Sequence, residues 1–124
     1  FIDDVPLGDV TRLNTVEYKY FGFYERIRKK LEKYWGHSLS EKAQKLRSRG
    51  RSIASNENYI TTLVITLNSR GDIIKVKMAD RSGFNEFDEA AVESFNRAGP
   101  FPNPPKGMLK GGSAEIKWSF VVKS

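Results

Sequence analysis

Cysteine is absent from this 124-residue chain, and histidine occurs once, at His37. The first absence excludes disulfides, thiolate metal sites and cysteine nucleophiles, and leaves the redox compartment unread. The second argues against a histidine-ligated metal or a Ser–His hydrolase. Long apolar runs are missing too: nothing approaches the ~18 consecutive residues of a membrane span, and no leader pattern is present. The chain opens at Phe1 without an initiator Met and reads as a piece of something longer, so that any anchor or targeting segment is expected upstream of it. Proline is scarce outside one short stretch, with four of the five prolines in residues 100–105.

What the chain has in excess is positive charge, unevenly placed. Residues 24–51 carry ten Lys or Arg against three Glu, a local net charge of +7 in a chain whose total is +6. Arg26, Lys29, Lys30, Lys33, Lys42, Lys45 and Arg49 form the candidate basic surface. Such a block can meet nucleic acid, anionic headgroups or cell-wall polymer, or be the solvated face of an amphipathic helix.

The hydrophobic pattern predicts one domain over residues 1–124, 39% hydrophobic and able to close a modest core. Residues 1–15 read as an extended lead-in. Tyr20, Tyr24, Ile27, Leu31, Tyr34 and Trp35 recur every three or four residues, predicting a helix over 16–35 stopped by Gly36. Ser38 and Glu41 have capping-box spacing, predicting a second, shorter helix over 38–50 with Leu39, Ala43 and Leu46 inward. Residues 50–58 read as a polar loop.

The period then shortens to two. Leu63, Ile65 and Leu67 alternate with Val64 and Thr66; after a turn at residues 68–72, with Gly71 at a positive φ, Ile74, Val76 and Met78 alternate with Lys75 and Lys77. A hairpin over 59–80 follows. Asn85 is placed to cap a helix over 85–98 carrying Phe87, Ala91 and Phe95 on one face, with Glu86, Asp88 and Glu89 near its positive end. Residues 100–105 read as a stiff connector. Ile116, Trp118, Phe120 and Val122 then alternate with Glu115, Lys117, Ser119 and Val121 in a last strand over 114–122.

The expected fold is α+β, with topology α(α)ββαβ. Its three-stranded antiparallel sheet has strand order 2-1-3 and helices on one face. The last strand is left at an open edge.

No convergent acid, base or nucleophile appears. Asp88 and Glu89 lie in a first helical turn, where acids are favoured without catalysis. Arg70-Gly71-Asp72 is explained by the turn, and residues 107–112 lack phosphate-loop spacing. No catalytic residue, metal ligand or cofactor is assigned.

Several of these segments, in order, resemble the C-terminal domain of TonB and TolA proteins, over about residues 18–122. They are the strand at 59–67, Ser69-Arg70-Gly71-Asp72-Ile73, Ser82-Gly83, Phe87-Asp88-Glu89-Ala90-Ala91-Val92 and Pro100-Phe101-Pro102, preceded by a helix bearing Tyr24, Ile27, Leu31 and Trp35. The longer string from Pro100 to Gly107 is similar to TonB-like proteins of deltaproteobacteria. Phe87 replaces the family's usual Leu, and the insert at 38–57 is longer than in a minimal TonB domain.

The resemblance implies a non-enzymatic periplasmic module, anchored upstream in the inner membrane beside motor proteins. Such a module couples inner-membrane energy to an outer-membrane or trans-envelope partner. It implies that an extended peptide of that partner pairs with the last strand. The candidate residues are Glu115, Ile116, Lys117, Trp118, Ser119, Phe120 and Val121. A TolA-like or motility role would use the same domain, and the open edge permits a homodimer. Nucleic acid is not an expected partner, because exposed stacking aromatics are missing from the predicted sheet; a basic nucleic-acid- or cell-wall-binding domain is the alternative.

Overall fold

A computed structural model describes residues 20–50 and 58–123. The expected lead-in, the first residues of the expected helix and most of the polar loop lie outside the described residues. The element order is α1 (Phe21–Ser48), β1 (Asn58–Asn68), β2 (Ile73–Asp80), α2 (Asn85–Ala98), a short 3-10 turn (Lys106–Met108) and β3 (Ser113–Lys123). The sheet has order β2-β1-β3 with both pairings antiparallel, the α+β architecture read from the sequence.

The break expected at Gly36 does not occur. One helix of 28 residues runs through it, and Ser38 lies buried in mid-helix, capping nothing. A helical glycine costs about 1 kcal/mol relative to alanine. Beyond it Leu39, Ala43 and Leu46 are buried, and each leucine contributes about 1.5–3 kcal/mol on burial. Continuing the helix keeps that apolar stripe on the core, so burial wins. Termination comes at Gly50, at φ 71°, whose N–H bonds the Arg47 carbonyl at 3.0 Å.

The hairpin turn forms as its residues dictate. Asn68 Oδ1 accepts from the amides of Arg70 (2.9 Å) and Asp72 (3.0 Å), and Gly71 takes φ 91°. β2 departs from simple alternation. Leu67 pairs with Ile73 but Thr66 pairs with Lys75, so Ile74 is an extra residue in the strand. The inward positions are therefore Ile73, Val76 and Met78, while Ile74, expected inside, is 56% exposed. A second bulge at Ala79 lies between the pairs Leu63–Met78 and Thr62–Asp80.

α2 begins at Asn85, but Asn85 does not cap it: Phe84 holds the cap position, with extended backbone and no side-chain cap bond. The first turn is secured by Asp88, whose Oδ1 accepts from Thr61 Oγ1 (2.7 Å) and the Ser82 amide (3.0 Å). That carboxylate ties α2 to β1 and to the end of the hairpin.

The core lies between the helices and one face of the sheet. Tyr24, Ile27, Leu31 and Trp35 of α1 and Phe87, Ala91 and Phe95 of α2 meet Leu63, Ile65, Ile116, Trp118 and Phe120. The connector over 100–105 belongs to this framework. Phe101 is buried, its N–H bonds the Gly71 carbonyl at 2.8 Å, and the Phe95 ring meets it edge-on at 5.9 Å.

Candidate functional site

The two sheet edges differ in their suitability for strand pairing. β1 and β3 pair over eleven consecutive positions, from Asn58–Lys123 to Asn68–Ser113, without a register shift. β1 and β2 pair with two shifts, and Lys75, Lys77 and Asp80 stand exposed on β2. Bulges discourage pairing at a sheet edge, whereas exposed charges stand on both edges, with Glu115, Lys117 and Lys123 on β3. β3 has no bulge and no proline, and among the described residues no strand covers its far side.

The inner face of β3 is fixed by aromatic packing. Trp118 stacks on Tyr24 at 6.0 Å and meets Phe95 edge-on at 6.2 Å. Phe120 lies 4.7 Å from Trp35 and 5.7 Å from Phe95. Ile116, Trp118 and Phe120 therefore act as core and contribute only main chain to the edge.

The outward row matches the sequence reading in part. Glu115 and Lys117 are exposed and Val121 is half-buried. Ser119, expected to be exposed, is buried: its hydroxyl lies 2.9 Å from that of Thr62, its partner across β1. Two short hydroxyl side chains facing each other satisfy one another rather than solvent.

Four residues of the basic block tie α1 to its neighbours. Arg26 donates to the Asn103 carbonyl at 3.3 Å and lies over the Phe23 ring. Lys30 donates to the Pro100 carbonyl and lies 5.2 Å from the centre of the Phe101 ring. Lys42 reaches Glu93 (2.9 Å) and Glu89 (3.8 Å), and Arg49 pairs with the buried Glu86 at 3.0 Å. Hydrogen bonding to Glu93 raises the pKa of Lys42, and the same bond lowers that of Glu93, each against a smaller opposing effect of burial. Lys29, Lys33 and Lys45 remain exposed.

The other candidates resolve into structural roles. Asp88 is engaged by Thr61 and Ser82, and Glu89 by Lys42. His37 Nε2 lies 2.9 Å from Glu41 on the exposed side of α1. A groove of about 490 Å³ opens between β2 and α2 over Met78 and Val92, but its carboxylates are those already paired. Among the described residues, no cluster of three or more His, Cys, Asp or Glu could hold a metal, and no helix is long and apolar enough to cross a membrane. Sequence reasoning missed the clamp made by Phe101 on Gly71. A bulky apolar residue flanked by prolines was the available signal.

The class these features define is a small α+β domain whose sheet is open at its last strand. The chain belongs to the TonB C-terminal family: the family model described as "TonB C terminal" matches residues 20–120. A curated relative, "Protein TonB" of Pseudomonas putida, is 34% identical over 62 residues, which is 50% of this chain and 26% of that protein. The chain thus matches about a quarter of that relative's length. No solved structure matches.

Proposed function

We propose that this domain is the partner-binding end of an envelope energy transducer and that it grips an extended segment of an outer-membrane or trans-envelope protein along β3. The observation that carries the reading is the contrast between the uninterrupted register of β3 and the doubly bulged β2. Main-chain bonds from an edge strand provide grip with little demand on sequence, while alternate side chains select the partner. Here selection falls to Glu115, Lys117 and Val121, the outward residues with exposed or half-exposed side chains.

Family membership supports a non-enzymatic role. It also supports a periplasmic position, an inner-membrane anchor and motor proteins upstream, and nutrient uptake, envelope integrity or motility as settings. The engagement of Arg26, Lys30, Lys42 and Arg49 by carbonyls and carboxylates of the same chain weighs against a nucleic-acid or cell-wall surface on α1.

The test is a titration of the isotope-labelled chain with peptides from outer-membrane and periplasmic proteins, followed amide by amide. Shifts and slowed hydrogen exchange along Ser113–Lys123 are expected. Shifts confined to Ile73–Asp80 or to α1 would overturn the assignment. Val121→Pro, checked for an intact fold by circular dichroism, should abolish the binding.

A further inference from the structure

The helices pack on one face of the sheet, and the opposite face carries a pattern of its own. Ile60 pairs with Val121 across β1 and β3, and Asn58 pairs with Lys123 beyond them. Further along, Val64 stands between Lys77 of β2 and Lys117 of β3, and Thr66 between Lys75 and Glu115. Ile60 is 44% exposed, one of three large apolar side chains left so among the described residues. Val64 and Val121 are half-buried. The four lysines are exposed and make no ion pair with other described residues. An apolar strip flanked by unpaired cations suits an anionic, partly apolar chain.

Residues 1–19, which lie outside the described residues, have that composition. They hold Asp3, Asp4, Asp9 and Glu17 against Arg12 and Lys19, four acids to two bases in a chain of net charge +6. Ile2, Val5 and Leu7 are set among the aspartates.

We propose that residues 2–9 dock along this outer face, with Asp3 and Asp4 at Lys123 and Asp9 between Lys77 and Lys117. Val5 and Leu7 then cover Ile60 and Val121. Lys117 and Lys123 are six positions apart on β3, ~20 Å, and Asp4 and Asp9 are five apart, ~17 Å when extended. Pro6 biases Val5 toward extended backbone. It also lacks a ladder donor, which costs nothing where contact with the flat of a sheet is made by side chains.

The direction follows from α1. Tyr24 stacks on Trp118 and Trp35 lies against Phe120, so the chain enters α1 nearer the Lys117 end of β3 than the Lys123 end. Ten residues separate Asp9 from Tyr20 and reach up to ~33 Å, enough to pass from the helix side to the outer face. Covalent attachment supplies an effective concentration on the order of millimolar, so weak contacts suffice.

Two competing arrangements fit less well. Asp80 beside Thr62 and Glu115 beside Thr66 stand on the same face; they oppose a broad anionic surface and leave room for a narrow chain with spaced acids. Lys29 and Lys33 of α1 offer charge, but the exposed residues around them are Glu32 and His37, which give the apolar side chains nothing to cover.

A chain without cysteine allows a single nitroxide, introduced through Gly8→Cys in the full chain. Amide signals of Ile60, Val64, Lys117 and Val121 should broaden relative to the same sample with its label reduced. Those of Lys29 and Lys33 should keep their intensity. Lys117→Glu with Lys123→Glu, checked for an intact fold by circular dichroism, should remove the broadening, and adding Asp4→Lys and Asp9→Lys should bring it back. Raising the ionic strength from ~0.01 to ~1 M shortens the Debye length from about 30 to 3 Å and should weaken the broadening severalfold.

Strongest broadening on α1, broadening spread evenly over the molecule, or a pattern indifferent to Lys117→Glu with Lys123→Glu overturns the inference. So does equal broadening when nitroxide-bearing chains are mixed with separate isotope-labelled chains, since the contact then lies between molecules. Docking uses the flat of the sheet and leaves the main-chain edge of β3 open. No partner peptide enters these measurements, so this inference and the capture proposed above stand or fall separately.

Discussion

Gly71 sits at φ 91°, and a β-carbon there would fall 1.9 Å from the carbonyl oxygen of Phe101. Both the left-handed backbone and the close approach require glycine. Gly71→Ala should destabilise the domain by about 2–4 kcal/mol in urea unfolding, combining backbone strain with loss of the bond from the Phe101 amide. The turn was legible as a glycine turn, but Phe101 lies thirty residues away and only the fold brings it there. Glu93 gives a pH-dependent counterpart. Its bond to Lys42 holds the carboxyl below the ordinary value of 4.5. The stabilisation from that bond is present above pH 4.5 and is lost as pH falls through the lowered pKa. Urea midpoints measured between about pH 3 and 7 should therefore drop toward acid in the parent chain, and the acid limb should flatten in Glu93→Gln.

At the scale of elements, α1 and β2 show where local reading and tertiary structure part. Gly36 followed by Ser38 and Glu41 has the pattern of a stop and restart, yet the helix continues because the next apolar residues have a core to meet. A β-carbon added at Gly36 would meet nothing within 4 Å, and the backbone there is helical. Gly36→Ala should raise stability by about 0.5–1 kcal/mol, read from the thermal midpoint. If the helix were broken at Gly36, alanine there would have little effect or the opposite one. In β2 the alternation Ile74, Val76, Met78 looked regular, and the bulge replaced Ile74 with Ile73 on the inner face. A bulge is set by how the strand must bend beside its partner, which a two-residue period cannot report.

At the scale of the molecule, the helices pack on the inner face of β3, and among the described residues no strand pairs with its outer edge. Phe95 is the hub, touching Phe101, Trp118 and Phe120. Phe95→Ala should destabilise the domain by about 3–5 kcal/mol. It should also weaken peptide capture at concentrations where the fold survives, since the template strand loses support on its inner face. Calorimetry of folding and of binding on the same variant checks both effects. Within the basic block, Lys30 and Arg26 reach the connector and Lys42 and Arg49 join α1 to α2, while Lys29, Lys33 and Lys45 stay exposed.

Periodicity by itself determined the α+β class, the hairpin, the helix over 85–98 and the last strand, because amphipathic spacing is a local property that burial on one face imposes. The ordered motifs were enough to indicate the family. Only the tertiary structure shows that the two sheet edges differ. Both edge strands carry exposed charges in the sequence, and the difference lies in hydrogen-bond register: two bulges along β2 and none along β3. Register belongs to a pair of strands, so it exists only once the chain has brought them together.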